Sequence, residues 1–360
     1  MTDTMLLYVG TYTQRDSNPN ALKSDGIYCF TLDVKSGELI FQGVTTGIEN
    51  PSYLITNPNQ PYLYAVSETE YSTCVSYRIE TNTGALSFLN SQSTLGASSA
   101  HLSLDYANHY ALIANYGSVG QTAVVLPIQP DGSFGPPTSS VKHAGTGPNR
   151  ERQEAPHGHC ILPDPNNRYV FVADLGIDQL VGYKFESKTG QLTPHASFTL
   201  ASGTGPRHYI FHPNGLFAYV IQELNSTISV LSYDANRGQF TTLQTVSTLP
   251  PDYRDENFCS AIHISPDGKF IYGSNRGHDS IVIYVVDETT GKLSHVGYQS
   301  TFGRTPRDFI IDPSGTFLLV ANQNSDTITA FRRNRENGTL SETGNVVSVP
   351  APTCVKIYSP

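Results

Sequence analysis

Short apolar runs broken by turns dominate this chain. Six of them read "YLYAVSE" (62–68), "YALIANY" (110–116), "YVFVADL" (169–175), "LFAYVIQE" (216–223), "FIYGSNR" (270–276) and "FLLVANQ" (317–323). Near-continuous apolar runs of this length suit strands buried on both faces of a sheet. Helical periodicity is absent. Turns such as "NPNQ", "DPNN", "HPNG", "SPDG" and "DPSG" precede these runs, and a short apolar strand precedes each turn. Each unit therefore predicts an inner hairpin of a first and a second strand.

A second signal repeats in step with the first. The turn x-Gly-x-Leu/Phe recurs at Gly37, Gly84, Gly132, Gly190, Gly238, Gly291 and Gly338. The intervals are about 47 to 58 residues, the length of a four-stranded propeller blade. Each glycine is expected to take positive φ in the turn between two outer strands. The seventh unit is split. "LLYVGTY" (6–12) reads as a second strand lacking a first, and "TCVKI" (353–357) as a first strand lacking a second. Pairing them closes a ring and protects the terminal sheet edges. An open β-solenoid would leave both segments without partners. The expected fold is all-β: a seven-bladed β-propeller spanning residues 1–360 as one domain, closed between its N-terminal and C-terminal strands.

Polar residues collect at one end of the hairpins. In "GPRHYIFHPNGLFAYVIQEL" (205–224) a hairpin folded about Gly215 brings Arg207 opposite Glu223 at its open end. With first strands innermost, that end faces the central channel. The equivalent second-strand positions are Thr11-Tyr12, Ser67-Glu68, Asn115-Tyr116, Asp174-Leu175, Gln222-Glu223, Asn275-Arg276 and Asn322-Gln323. On first strands they are Ser52, His101, His157 with His159, Arg207 with His208, Ser260, and Arg307 with Asp308. Three segments exceed the repeat length, at 13–25, 142–155 and 250–257, and all are expected over this same rim, where binding sites usually sit.

Two or three arginines facing one pocket suit a carboxylate or phosphate, because guanidinium donors match anionic oxygens in pairs. Glu223 and His157 are candidate proton carriers, although Glu223 beside Arg207 reads equally as a structural ion pair. "HGH" at 157–159 puts two imidazoles on one face of a strand. It reads as a hydrogen-bonding pair, with no metal expected, because no carboxylate-rich companion motif accompanies it. No G-x-S-x-G elbow, P-loop or H-E-x-x-H motif occurs. The chemistry then needs an activated water or a proton transfer, with arginine stabilising an oxyanion.

Composition narrows the setting. The formal net charge of -9 argues against nonspecific nucleic-acid binding but permits a local cationic pocket. Five scattered cysteines with no CxxC pair suggest buried free thiols. No apolar run reaches the roughly 18 residues of a membrane span, and the start lacks a signal-peptide pattern. The expectation is a cytoplasmic protein acting on a small molecule, with no membrane and no nucleic-acid partner.

"LLYVGTYT", "APHGHC", "GPRHYIFHPNGLFAYVIQEL", "SPDGKFIYGSNRGHDSI" and "PRDFIIDPSGTFLLVANQNSDTI" together resemble the seven-bladed lactonase family. That family includes propeller-type 6-phosphogluconolactonases and fungal carboxy-cis,cis-muconate cyclases. The resemblance covers the whole chain. It implies catalytic roles for His157, Arg207, Glu223 and Arg276, and activity without a required metal or organic cofactor. It implies hydrolysis of a sugar lactone, foremost 6-phospho-D-glucono-1,5-lactone, with muconate lactonisation as the alternative. Substrate contacts are then expected from His159, His208, Arg307, Asn115, Asp174, Asn275 and Asn322. A propeller can also be a non-enzymatic binding scaffold. A scaffold rim more often exposes aromatic and aliphatic anchors, whereas this one offers arginines, histidines and amides.

Overall fold

The structure is a computed structural model that describes residues 4–14 and 24–359. Seven sheets follow one another around an axis, each with four strands in antiparallel sequence order; the fourth carries an extra short strand, Phe198–Thr199. The first strands of successive sheets lie beside one another and line the axis.

Ring closure occurs as the split seventh unit requires. Pro352–Tyr358 is the innermost strand of the first blade and pairs antiparallel with Thr4–Thr11, from Leu6 opposite Tyr358 to Thr11 opposite Pro352. Ile27–Asp33 and Leu39–Thr45 complete that blade. The first and last described strands are thus hydrogen-bonded in one sheet.

The second strands Tyr62–Ser67, Tyr110–Asn115, Tyr169–Asp174, Phe217–Gln222 and Phe317–Asn322 are buried along their whole length. They lie mid-blade with another blade against each face, which is why polar alternation is missing from their sequence. Outer strands such as Gln239–Ser247 are largely exposed and read as polar. Seven apolar clusters sit between successive blades. Phe217, Tyr219 and Ile221 of the fifth blade meet Cys259, Ile271 and Tyr284 of the sixth. Phe317 and Leu319 of the seventh meet Leu7, Val9 and Val355 of the first.

The repeated glycines serve this packing as well as the turn. Their φ values run from 60° at Gly238 to 86° at Gly132, a region that side chains disfavour. A Cβ on Gly132 would also stand 2.4 Å from the Tyr62 ring, and one on Gly291 2.4 Å from Phe217. In each case the ring opens the second strand of the preceding blade. One residue thus fixes an outer turn and seats it on the neighbouring blade.

Innermost strands carry a β-bulge near the rim. The ladder skips between Pro206 and His208, between Gly158 and Cys160, and between Pro306 and Asp308. A bulge re-aims the side chain it displaces. Here the displaced residues are Arg207, His159 and Arg307.

Candidate active site

Glu223 is the centre of the charged rim. Its carboxylate is buried, with a side chain 3% exposed, and is ion-paired with three guanidinium groups. Arg207 Nη1 donates to Oε2 at 2.7 Å within the same hairpin, and Arg276 Nη2 reaches that oxygen at 2.8 Å from the next blade. Arg152 Nη2 donates to Oε1 from the long 142–155 segment. Burial alone would raise the carboxyl pKa, but the charges of Arg276, Arg207 and Arg152 hold it well below the ordinary value of 4.5. Glu223 is therefore ionised, and its bonds orient three cations. A buried charge without such partners would be costly.

His159 continues the network inward. Its Nε2 accepts from Arg207 Nη1 at 2.6 Å, so the ring is neutral and the proton sits on Nδ1. Burial first, then the Arg207 charge, pushes its pKa well below the usual histidine value. His208 lies further along, 5.5 Å between ring centroids from both His159 and His101, and is held neutral by the same two causes. Tyr53 packs on His101 at 4.4 Å, and Lys356 Nζ sits 4.5 Å over Tyr53. Lys356 and His263 then meet the two oxygens of Asp308, at 3.2 and 3.3 Å. The axis is filled by this column of polar and aromatic side chains. A cavity of about 580 Å³ lies at the opposite mouth, lined by Ile55, Leu162, Phe211 and His263, away from the arginines.

His157 stands beside the charged centre. Its ring stacks on Tyr116 at 4.5 Å and 18°. Nδ1 lies 2.7 Å from the Tyr116 carbonyl oxygen, which can only accept, so Nδ1 carries a proton. Nε2 faces Glu154 Oε1 at 3.0 Å; an ionised carboxylate only accepts, so Nε2 is free to act as a base only where this half-exposed glutamate has moved off it. Tyr116 also receives Arg152 Nη2 on its hydroxyl at 3.3 Å, which links His157 to the Glu223 cluster. Arg307 belongs to the rim too. It donates to the Tyr12 hydroxyl at 2.7 Å, and Tyr12 meets Glu68.

Four expected substrate contacts are used elsewhere. Asn115 Nδ2 donates to the Thr94 carbonyl, Asn275 Nδ2 to that of Thr248, and Asn322 Nδ2 to that of Thr301. This is one loop-pinning role in three blades. Asp174 accepts the His157 and Gly176 backbone N–H groups and pairs with His143 at 2.6 Å. All four side chains are fully buried. The reason is strand alternation: of two successive residues only one can face the channel. Tyr116, Glu223, Arg276 and Gln323 take that side, and their neighbours turn into the sheet.

The loop expectations fare unevenly. Most of the 13–25 segment lies outside the described residues. The 142–155 segment does cover the rim, anchored by buried Gln153, which donates to the Leu175 carbonyl and Asp178. The 250–257 segment leads into Phe258, whose ring lies 5.5 Å beneath the Arg152 guanidinium. Sequence reasoning missed Arg152. Its segment was expected over the site, but "NRERQE" offers four charged side chains and no periodicity to select one. Lys356 was missed because nothing in "TCVKI" distinguishes an axial lysine from an exposed one. Among the described residues, no group of three or more His, Cys, Asp or Glu side chains is arranged to hold a metal ion. Among the described residues, no helix is long and apolar enough to cross a membrane.

Known proteins share this architecture over essentially the whole chain. The family described as "Lactonase, 7-bladed beta-propeller" matches residues 6–357. A Bacillus subtilis protein named 6-phosphogluconolactonase is 42% identical over 350 residues, covering 97% of each chain. The crystal structure of a putative 6-phosphogluconolactonase from Bacteroides fragilis superposes with a TM-score of 0.90 at 34% identity, covering 99% of this chain and 98% of that one. A Pseudomonas aeruginosa structure described as a periplasmic gluconolactonase gives 0.91 at 31% identity, covering 99% of each. Sheet order, ring closure and these matches agree: the chain belongs to the seven-bladed β-propeller lactonase family.

Proposed function

We propose that the protein hydrolyses a phosphorylated sugar lactone, 6-phospho-D-glucono-1,5-lactone, to the open acid. The observation that carries this is the convergence of three guanidinium groups on one buried carboxylate at the channel mouth. Such a centre is preorganised for an anionic substrate and for an oxyanion that develops during attack on a carbonyl. Relatives named 6-phosphogluconolactonase and gluconolactonase support a lactone as substrate.

In this mechanism a water attacks the lactone carbonyl carbon and passes its proton to His157 Nε2. The Tyr116 carbonyl holds the opposite ring nitrogen protonated, so Nε2 is the end that accepts once Glu154 has left it. Glu154, half-exposed, yields its place beside that nitrogen. Arg207 and Arg276 stabilise the oxyanion; the Nε of each is buried and has no partner among the described residues. The ring C–O bond then breaks, and the protonated His157 returns its proton to the leaving oxygen. Glu223 is better suited to fixing the arginines than to taking a proton, because a carboxylate held so strongly in its ionised form is weakly basic.

Disappearance of 6-phospho-D-glucono-1,5-lactone and of unphosphorylated glucono-1,5-lactone, each corrected for spontaneous hydrolysis, tests this reading. A rate well above background is expected on the phosphorylated lactone. Background rates on both, with a folded protein, overturn it.

A further inference from the structure

We propose that Arg152 is the specificity-determining residue that reads the substrate's phosphate, through the guanidinium N–H donors left free by its bonds to Glu223 and Tyr116. The inference rests on the lactonase reading above and deepens it.

Three arginines touch Glu223, but they are not equivalent. Arg207 and Arg276 come from strands, with side chains 5% and 15% exposed, and both contact Oε2. Arg152 comes from the rim loop, is 32% exposed, and alone contacts Oε1. Its position is nonetheless fixed. The backbone N–H of Arg152 donates to Asn149 Oδ1 at 3.1 Å, the next residue is the buried anchor Gln153, and the guanidinium lies over Phe258. A surface arginine tethered on both backbone and side chain has been preorganised, which lowers the entropy lost when it binds.

The donors of Arg152 are unequally used. Its bonds to Glu223 Oε1 and to the Tyr116 hydroxyl both leave from Nη2. A guanidinium carries five N–H donors in a planar fork. The Nη1 group, with two N–H donors, and the Nε–H remain without partners among the described residues, so Nη1 can donate to a phosphate oxygen without releasing Glu223. The other rim arginines are less available: Arg207 Nη1 is shared between His159 and Glu223, and Arg307 is engaged by Tyr12 and Gln323.

Substrate geometry points the same way. In a 6-phosphorylated 1,5-lactone the phosphate is at the opposite end from the reacting carbonyl. A dianion is strongly hydrated, so its favoured place is the solvent-facing end of the site, with the uncharged lactone end toward the buried arginines. Arg152 is the guanidinium of the Glu223 cluster that stands at that outer end.

The test compares Arg152→Gln and Arg152→Lys with the unaltered protein on phosphorylated and unphosphorylated gluconolactone. Arg152→Gln is expected to raise KM for the phosphorylated lactone by about tenfold to a hundredfold, the scale of losing a charge-assisted pair. The ratio of kcat/KM between the two lactones should fall by at least tenfold. Arg152→Lys should recover part of that ratio, since it keeps the charge but not the fork. Inorganic phosphate, titrated calorimetrically, should bind the unaltered protein and bind Arg152→Gln at least tenfold more weakly. If both lactones lose activity in equal proportion, Arg152 acts only through Glu223 and the proposal is overturned. Unchanged phosphate binding in Arg152→Gln overturns it too. The phosphate titration decides this even if neither lactone proves to be a substrate, so failure of the lactonase reading is a separate result.

Discussion

Arg276 Nη2 forms an ion pair with Glu223 Oε2 at 2.8 Å across the boundary between the fifth and sixth blades, on the oxygen that also accepts Arg207 at 2.7 Å. The ion pair ties two neighbouring blades at the channel mouth. Burial lowers the Arg276 pKa to about 10 despite Glu223, so the guanidinium is charged at neutral pH.

Arg276→Ala is expected to lower kcat/KM for the lactone by roughly a hundredfold to a thousandfold, the usual effect of removing one oxyanion donor. The fold should survive, because Glu223 keeps Arg207 and Arg152. Steady-state kinetics with a parallel melting curve checks this. A variant with unaltered kinetics removes Arg276 from the reaction.

His157→Asn and Glu223→Gln separate the two candidate proton carriers. His157→Asn should reduce kcat about a hundredfold or more while KM changes little, the signature of lost general-base assistance. Glu223→Gln leaves three guanidiniums facing a neutral amide and should cost about 3 kcal/mol of stability at pH 7, the scale for breaking a buried pair. Because the folded pKa of Glu223 is depressed, its stabilisation is fully present above the ordinary value of 4.5 and is lost as pH falls through the depressed one. The stability gap between Glu223→Gln and the unaltered protein should therefore narrow in acid below that value. A folded Glu223→Gln that loses kcat a hundredfold, beside an active His157→Asn, would assign the proton to Glu223.

Buried neutral histidines predict a second acid sensitivity. Burial first, helped by Lys356, lowers the His101 pKa from 6.5 to about 3. The unfolded chain takes up this proton near 6.5 and the folded one does not, so stability is full above 6.5 and declines as pH falls toward 3. Between pH 7 and 5 one such histidine contributes a loss of about 2 kcal/mol. Urea unfolding at pH 7 and 5 should show this decline, with His208 and His159 adding to it. His101→Asn should reduce its slope; a slope that does not change would mean that His101 accepts its proton in the folded state.

Removal of residues 352–360 deletes the innermost strand of the first blade, including fully buried Cys354 and Val355. Loss of a cooperative thermal transition is expected, because the ring is left with an unpaired edge at Thr4–Thr11 and an opened apolar cluster. An unchanged transition would show that the remaining six blades and the open strand are sufficient.

Pattern alone determined the architecture of this protein. The repeated glycine, the apolar second strands and the two orphan end segments specify seven blades and their closure, because each is a local consequence of burial or of positive φ. The pairing of Arg207 with Glu223 was legible for the same reason: a two-strand hairpin is short-range geometry. Three features belonged to tertiary structure. The bulge that displaces Arg207, His159 and Arg307 from the ladder leaves no mark in residue type. Which member of each rim pair faces the channel depends on the phase of alternation at the strand end, so Asn115, Asp174, Asn275 and Asn322 looked like site residues and instead pin loops and backbone. Arg152 reaches Glu223 from 71 residues away in the chain, out of an irregular segment with no period to orient it. Charge can be read from a sequence, but the three-to-one convergence on Glu223 exists only where a loop and two blades meet in space.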